Sequence, residues 1–284
     1  MSTITTTTTD FPWRPDTTSF APVDAVPSAL ILQTSTVAGV VNGDEPAVRV
    51  AYVADSADAD YVAEGAEFTD SEPDLDEVII KTRKIGRLVK VSREQYYNQQ
   101  TAPQLAASVA RDLVRRADAA YLGDSTGASI GLLHNTAVVD GGNVDADLDV
   151  LIDLVAELEQ NGAVPSHILV DPASWASLRK LKVAESWNAT LLGASTEDAT
   201  ARLLSLPILR SRFVPAHTGI VVDATQVVSA VGPVEIAVSE HAAFTSDSVL
   251  LRAGWRIGWQ VIERPSPANG PRVGRFTVGV DAGS

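Results

Sequence analysis

The chain has 284 residues, 45% of them apolar and 20% charged, which suffices for one large or two ordinary globular domains with a sizeable core. A net charge of −14 argues against general affinity for nucleic acid or anionic membrane, because phosphate binders bring excess positive charge to release counterions. The absence of cysteine excludes disulfides, thiolate metal sites and thiol catalysis, so packing alone must hold the fold.

The opening stretch, "MSTITTTTTDFPWRPDTTSFAP", has neither the basic n-region nor the apolar h-region of a signal peptide. No apolar run approaches the roughly 20 residues needed to span a bilayer, so a cytosolic product without a membrane segment is expected. Residues 1–28 are rich in Thr and Pro with scattered aromatics, among them Phe11 and Trp13. Such a stretch cannot offset its own ordering entropy and reads as an extended arm laid on something larger.

Two β-branched runs follow, "VRVAYVA" at 48–54 and "VIIKTRKIGRLVKV" at 78–91, and read as two strands of a long projecting hairpin. Between and along them the charges are sorted. Residues 55–77 hold ten acids, Glu64, Glu67 and Asp70 among them, and no Lys or Arg. Residues 81–93 hold six bases, including Arg83 and Arg87, and no acid. The sorting suits either a polarised, solvated hairpin or an arm whose charges meet complementary charges on another copy of the chain.

After Pro103, Leu105, Val109, Leu113, Ala117 and Tyr121 recur every four residues, with Arg111, Arg115 and Asp118 between them. This predicts a long amphipathic helix, with Gly123 as a left-handed stop. A second helix is expected from about 147 to 160, with Leu148, Leu151, Ile152, Val155 and Leu158 on its apolar stripe and Gly162 beyond. "SHILVD" reads as a buried strand. In "DPASW", Asp171 can cap a third helix with Pro172 in its first turn.

From Leu203 onward the pattern is strands: "LPIL", "GIVVD", "PVEIAVSE" and "VLLRAGWRIGWQVIER". In the last of these every odd position from 249 to 261 is apolar, while the even ones include Arg252, Gly254, Arg256 and Gly258. That alternation predicts one strand with a buried face and an arginine-bearing face outward. The whole is an α+β arrangement with extended appendages and no internal repeat.

Little in the sequence points to chemistry. The four histidines (His134, His167, His217 and His241) lie far apart and form no zinc-binding pattern. "GDSTGASIG" lacks the Lys-Ser/Thr of a phosphate loop, no GxSxG elbow occurs, and "DSADAD" lacks the glycine and terminal Glu of a calcium loop. No cofactor or metal and no enzymatic activity are expected.

Four segments together resemble the major capsid proteins of tailed bacteriophages that share the HK97 fold. "ADYVAEGAEFTDSEPDLDEVIIKTRKIGRLVKVSRE" is similar to that family's extended loop. "ADAAYLGDSTGASIGLL" resembles the end of its spine helix, "ILVDPASWASLRKLK" its axial domain, and "LLSLPIL" with "VEIAVSEHAAFTSDSVLLRAGWRIGWQV" its peripheral strands. The resemblance covers roughly residues 45–265. It implies an N-terminal arm at 1–44, an extended loop at 45–90, a peripheral segment with the spine helix at 91–130, an axial domain at 131–223 and a second peripheral segment at 224–284.

The function so implied is a structural subunit that tiles pentamers and hexamers into an icosahedral shell around packaged double-stranded DNA, assembled in a host bacterial cytoplasm. In that family the loop reaches over a neighbour. Here Glu64, Glu67 and Asp70 would then meet bases such as Arg252, Arg256, Arg111 or Arg115, with Arg83, Arg87, Phe11 and Trp13 also at the subunit contact. Some members weld the shell with a loop Lys joined to an Asn. "AEGAEFTDS" has no Lys and "SEHAAFTSD" no Asn, so no such isopeptide is expected. With no charged helical prefix ahead of the arm, a separate scaffolding protein is expected, alongside a portal protein, a decoration protein and DNA held without sequence-specific contacts. An encapsulin-type nanocompartment shell is the alternative, and a hydrolase or divalent-ion binder using the acidic loop a second.

Overall fold

The computed structural model of the protein describes residues 17–54, 61–62, 64–65, 74–96, 101–181, 201–262 and 270–279. The chain opens with β1 (Thr17–Phe20), the short helices α1 (Pro22–Ala25) and α2 (Leu30–Thr34), and β2 (Thr36–Val40). A hairpin of β3 (Ala47–Ala54) and β4 (Asp74–Lys81) leads into β5 (Arg83–Ser92), the short α3 (Arg93–Tyr96) and the long α4 (Thr101–Gly123). There follow β6 (Val138–Val144), α5 (Asp149–Gln160), β7 (His167–Val170), α6 (Pro172–Lys180), β8 (Arg202–Leu203), β9 (Leu206–Arg210) and β10 (Thr218–Val222). Two long strands, β11 (Val227–Ala243) and β12 (Ser248–Val261), and a last strand, β13 (Val273–Val278), complete the order.

Two sheets organise these elements. The first runs β1-β11-β12-β5, with β2 also on β11, and the second runs β6-β13-β10-β7-β9-β8. The β3–β4 ladder stands apart from both.

The first sheet is built on β12, whose alternation places Ala253, Trp255, Ile257, Trp259 and Val261 on one face at 2% exposure or less. Helix α4 covers that face with the four-residue stripe Val109, Leu113, Ala117 and Tyr121. Tyr121 meets Trp259 edge to face at 5.5 Å, and the two indole nitrogens donate to the carbonyls of Gly232 and Ile130. α4 ends at Gly123 as expected, but the left-handed glycine is Gly127 (φ +111°), against which the Arg83 side chain lies.

The second core lies between α5 and the six-stranded sheet. Its stripe is Leu151, Leu154 and Leu158, whereas Ile152, expected inside, is 46% exposed because 154 and not 152 falls on the i, i+3, i+7 line from 151. Gly141 and Gly274 let Leu154 pack directly on β6 and β13. In α6, the Asp171 carboxylate accepts from the amides of Ala173 and Ser174, the expected cap.

Three expectations change. Residues 17–40 are not laid outside the fold: β1 and β2 pair with β11, and Val26, Ala29, Leu30 and Ile31 are core. The run 78–91 is two strands, because at Thr82 the chain leaves the β3–β4 ladder and joins β12. Finally, β13 does not belong with β11 and β12 in a single 224–284 segment. It pairs with β10 and β6 in the other sheet.

Candidate inter-subunit surface

The projecting hairpin starts at a corner. The Thr82 amide donates to the Pro46 carbonyl at 2.8 Å and its hydroxyl to the Glu45 carbonyl, while Arg256 Nε donates to the same carbonyl and to Thr82 Oγ1, each at 2.9 Å. Close passage of β4 over β12 is possible because residue 258 is glycine. A Cβ there would sit 2.3 Å from the Lys81 carbonyl oxygen. Beyond the corner Val41, Ile80, Val228 and Ala230 form a small separate core, with Val48, Val50, Val78 and Ile262 packed on it. On the opposite face of this base Ile79 is 45% exposed; farther out the hairpin carries Leu75 at 72% exposure, and Tyr61 is fully exposed.

Glu64 is exposed in a turn beside Gly65, while Glu67, Asp70, Phe11 and Trp13 lie outside the described residues. The bases expected to face a neighbour are largely engaged within the chain. Arg83 pairs with Asp124 at 2.6 Å and donates to the Ser129 carbonyl; Arg87 pairs with Asp112 and reaches Ser108. Arg115 reaches Asp112 at 3.5 Å along its own helix, and Arg256 lies 3.3 Å from Asp44 with only 16% of its side chain exposed. Arg111 and Arg252 are exposed and carry no ion pair among the described residues.

The charge sorting therefore has a first use inside the subunit: Arg87 of β5 binds Asp112 of α4, and Arg83 binds Asp124 just past the end of that helix. Sequence reasoning missed the acceptors Asp44, Asp112 and Asp124, since nothing in the spacing says that β5 lies beside α4. Asp44, shared by Lys84 and Arg256, has its carboxyl held below the usual range, first by its hydrogen bond to Lys84. The Asp76 carboxyl is likewise lowered by the Tyr52 hydroxyl across the hairpin.

The histidines do not converge. His167 Nδ1 lies 3.0 Å from Ser166 Oγ and His217 Nδ1 3.0 Å from the Val278 carbonyl. Among the described residues no group of three or more His, Cys, Asp or Glu could hold a metal ion, and no helix is long and apolar enough to cross a membrane.

A strand-paired sheet crossed by a long helix, a second sheet with its own helices, and a hairpin thrown out from the Thr82 corner of the first sheet are the HK97 fold of tailed-phage capsids. Residues 29–266 match the phage capsid family, and the chain belongs to that family. Among solved structures it is similar to a protein of Mycobacterium phage Adephagia, with a TM-score of 0.68, 16% identity, 89% of this chain and 91% of that one covered. For Mycobacterium phage Bobi the TM-score is 0.65 at 16% identity, with the same coverage of 89% and 91%. The capsid of an empty GTA particle gives 0.62 at 20% identity, covering 86% and 88%. No curated protein matches the sequence. The chain is thus a structural major capsid subunit, a component of a virion shell, and nothing favours the nanocompartment alternative over it.

Proposed function

We propose that copies of this chain tile an icosahedral shell as hexamers and pentamers around packaged double-stranded DNA, with each β3–β4 hairpin laid over a neighbouring copy. The observation that carries this reading is the hairpin itself. A two-stranded ribbon is marginal alone, and among the described residues this one packs its base on its own subunit while Leu75 and Tyr61 stand in solvent and Ile79 is half exposed. A second copy supplies the missing cover. Individual exposed ion pairs contribute about 0–1 kcal/mol, so the acids of 55–77 serve register and partner choice more than affinity. A net charge of −14 suits a wall that encloses DNA without gripping it. The same reading brings a separate scaffolding protein, a portal, a decoration protein on the outer surface, and assembly in the host bacterial cytoplasm.

The test is expression of the chain alone and with candidate scaffolding partners, followed by negative-stain electron microscopy. Closed shells or capsomer rings are expected; a monomer under every condition would overturn the reading. Boiled denaturing gels of mature particles should give a single monomer band, since residues 55–77 offer no Lys for an isopeptide. A covalent ladder would refute that.

A further inference from the structure

The solvent side of α4 carries charge that folding does not call for. The helix has three arginines, Arg111, Arg115 and Arg116, all exposed, and no lysine. Arg111 and Arg115 lie one turn apart, an i, i+4 pair of like charge that disfavours a helix. Helix α5 is the opposite case, with Asp149, Asp153, Glu157 and Glu159 exposed and no base. On a chain whose net charge is −14, α4 thus runs against the general trend.

The neighbouring strand adds to the row. Asp112 pairs with Arg87 of β5 and lies 3.5 Å from Arg115. Asp124 uses one oxygen, Oδ2, for both Arg83 at 2.6 Å and Arg116 at 3.4 Å. Each carboxylate therefore steadies one guanidinium of β5 that is about a third exposed and one of α4 that is more than half exposed. Five guanidiniums share two carboxylates, an excess of three positive charges, and Arg111 has no ion pair among the described residues. At the Gly123 end, Arg83, Lys84, Arg116 and Asp124 surround a recess of about 300 Å3 that reaches down to the buried Ile257 and Trp259.

The chemistry of the row selects its ligand. Arginine forks match phosphate oxygens, and the exposed forks here repeat along a line, with Arg111 and Arg115 about 6 Å apart at 1.5 Å per residue. From 111 to 124 no large apolar side chain is exposed, whereas a protein partner would bury an apolar centre. A phosphate backbone asks only for positive charge and donors.

We propose that Arg111, Arg115 and Arg116, steadied by Asp112 and Asp124, bind the phosphate backbone of duplex DNA. The inference rests on the shell reading above and gives the enclosed DNA a place to touch the wall. The acidic remainder of the chain keeps that contact weak and readily reversed by salt.

The test is fluorescence anisotropy of a labelled duplex of about 30 base pairs with the unassembled chain, from about 20 to about 200 mM salt. Neutralising three phosphates predicts a log–log salt slope of about −2 to −3, an affinity loss of about 10²–10³-fold across that range. Arg111→Gln combined with Arg115→Gln should make the slope shallower by about 2 while melting within about 2 °C of the parent. Arg179→Gln combined with Lys180→Gln, exposed bases of α6, should leave the slope unchanged. If the α4 pair melts far lower than the parent, Arg116→Gln alone supplies the measurement, with a slope shallower by about 1.

No duplex binding at the lowest salt, or an equal change from the α4 and α6 pairs, would overturn the proposal. Binding of poly-glutamate in place of the duplex would assign the row to an acidic protein segment and overturn it as well. If the chain forms no shells but the dependence on Arg111 and Arg115 stands, the tiling falls and the phosphate site remains. Shells from a chain that lacks this dependence retain the tiling and overturn only the phosphate site.

Discussion

The two faces of the β11–β12–β5 sheet are made by the same strands and treated in opposite ways. Under α4, Ala253, Trp255, Ile257, Trp259 and Val261 are closed off by side chains of the same subunit. On the other face the hairpin base covers one end, around Gly258, and the remainder presents Lys84, Gly86, Leu88, Lys90 and Arg252 to solvent. The difference separates two kinds of free energy. Folding draws on the first face, and under the proposed tiling association falls to the second, so substitutions on the two should fail in different assays.

The sharpest break is expected from Trp259→Ala. It removes a side chain 2% exposed, its 2.8 Å bond to the Ile130 carbonyl and its edge contact with Tyr121. A loss of about 3–5 kcal/mol is expected, comparable with much of a domain's total stability. Denaturant unfolding of the subunit should show it, with little folded protein remaining. Retention of the parent's midpoint would mean that this face does not carry the fold.

Next in size is Asp118, a carboxyl on the buried side of α4 that accepts the Leu30 amide of α2 at 2.8 Å, with Tyr121 nearby. Burial raises its pKa from 3.8 to about 6. The folded state thus holds this proton more tightly than the unfolded state. The stabilisation is fully present below about pH 4 and is lost as pH rises through about 6. At pH 7 the charged group costs up to about 3 kcal/mol relative to its protonated form. Asp118→Asn should remove this dependence. The stability difference between parent and variant, followed by unfolding at pH 5 and pH 7.5, should shift in the parent's favour at the lower pH. Equal pH slopes would show that another group titrates.

What the sequence disclosed depended on how local the cause was. The four-residue stripe of α4, the two-residue alternation of β12 and the Asp171 cap each involve neighbours within a turn or a strand, and each formed as read. The corner at Thr82 was invisible because "VIIKTRKIGRLVKV" has no Gly-Pro punctuation where it breaks. The break is caused by Glu45, Pro46 and Gly258, remote in sequence. β13 was misplaced for the same reason, since only the assembled six-stranded sheet shows where it pairs. At the candidate contact, the acids announced themselves by composition.

The smallest effects are expected among the ion pairs, and they divide by exposure. Arg83 and Asp124 lie 2.6 Å apart with side chains 34% and 18% exposed, and the guanidinium also serves the Ser129 carbonyl, tying the start of β5 to the end of α4. Arg83→Gln should cost about 1–2 kcal/mol, because it leaves a half-buried carboxylate short of its closest partner. Arg49 and Glu77 stand across the β3–β4 ladder at 3.3 Å with 72% and 50% exposed. Arg49→Gln should change subunit stability by less than about 0.5 kcal/mol, within the usual range of surface pairs and screened further by salt. If Arg49→Gln nonetheless reduces shell yield while the subunit's melting is unchanged, the hairpin's charges act between subunits. If it lowers the melting temperature as much as Arg83→Gln does, the hairpin belongs to the folding face, and the division between the two faces is wrong.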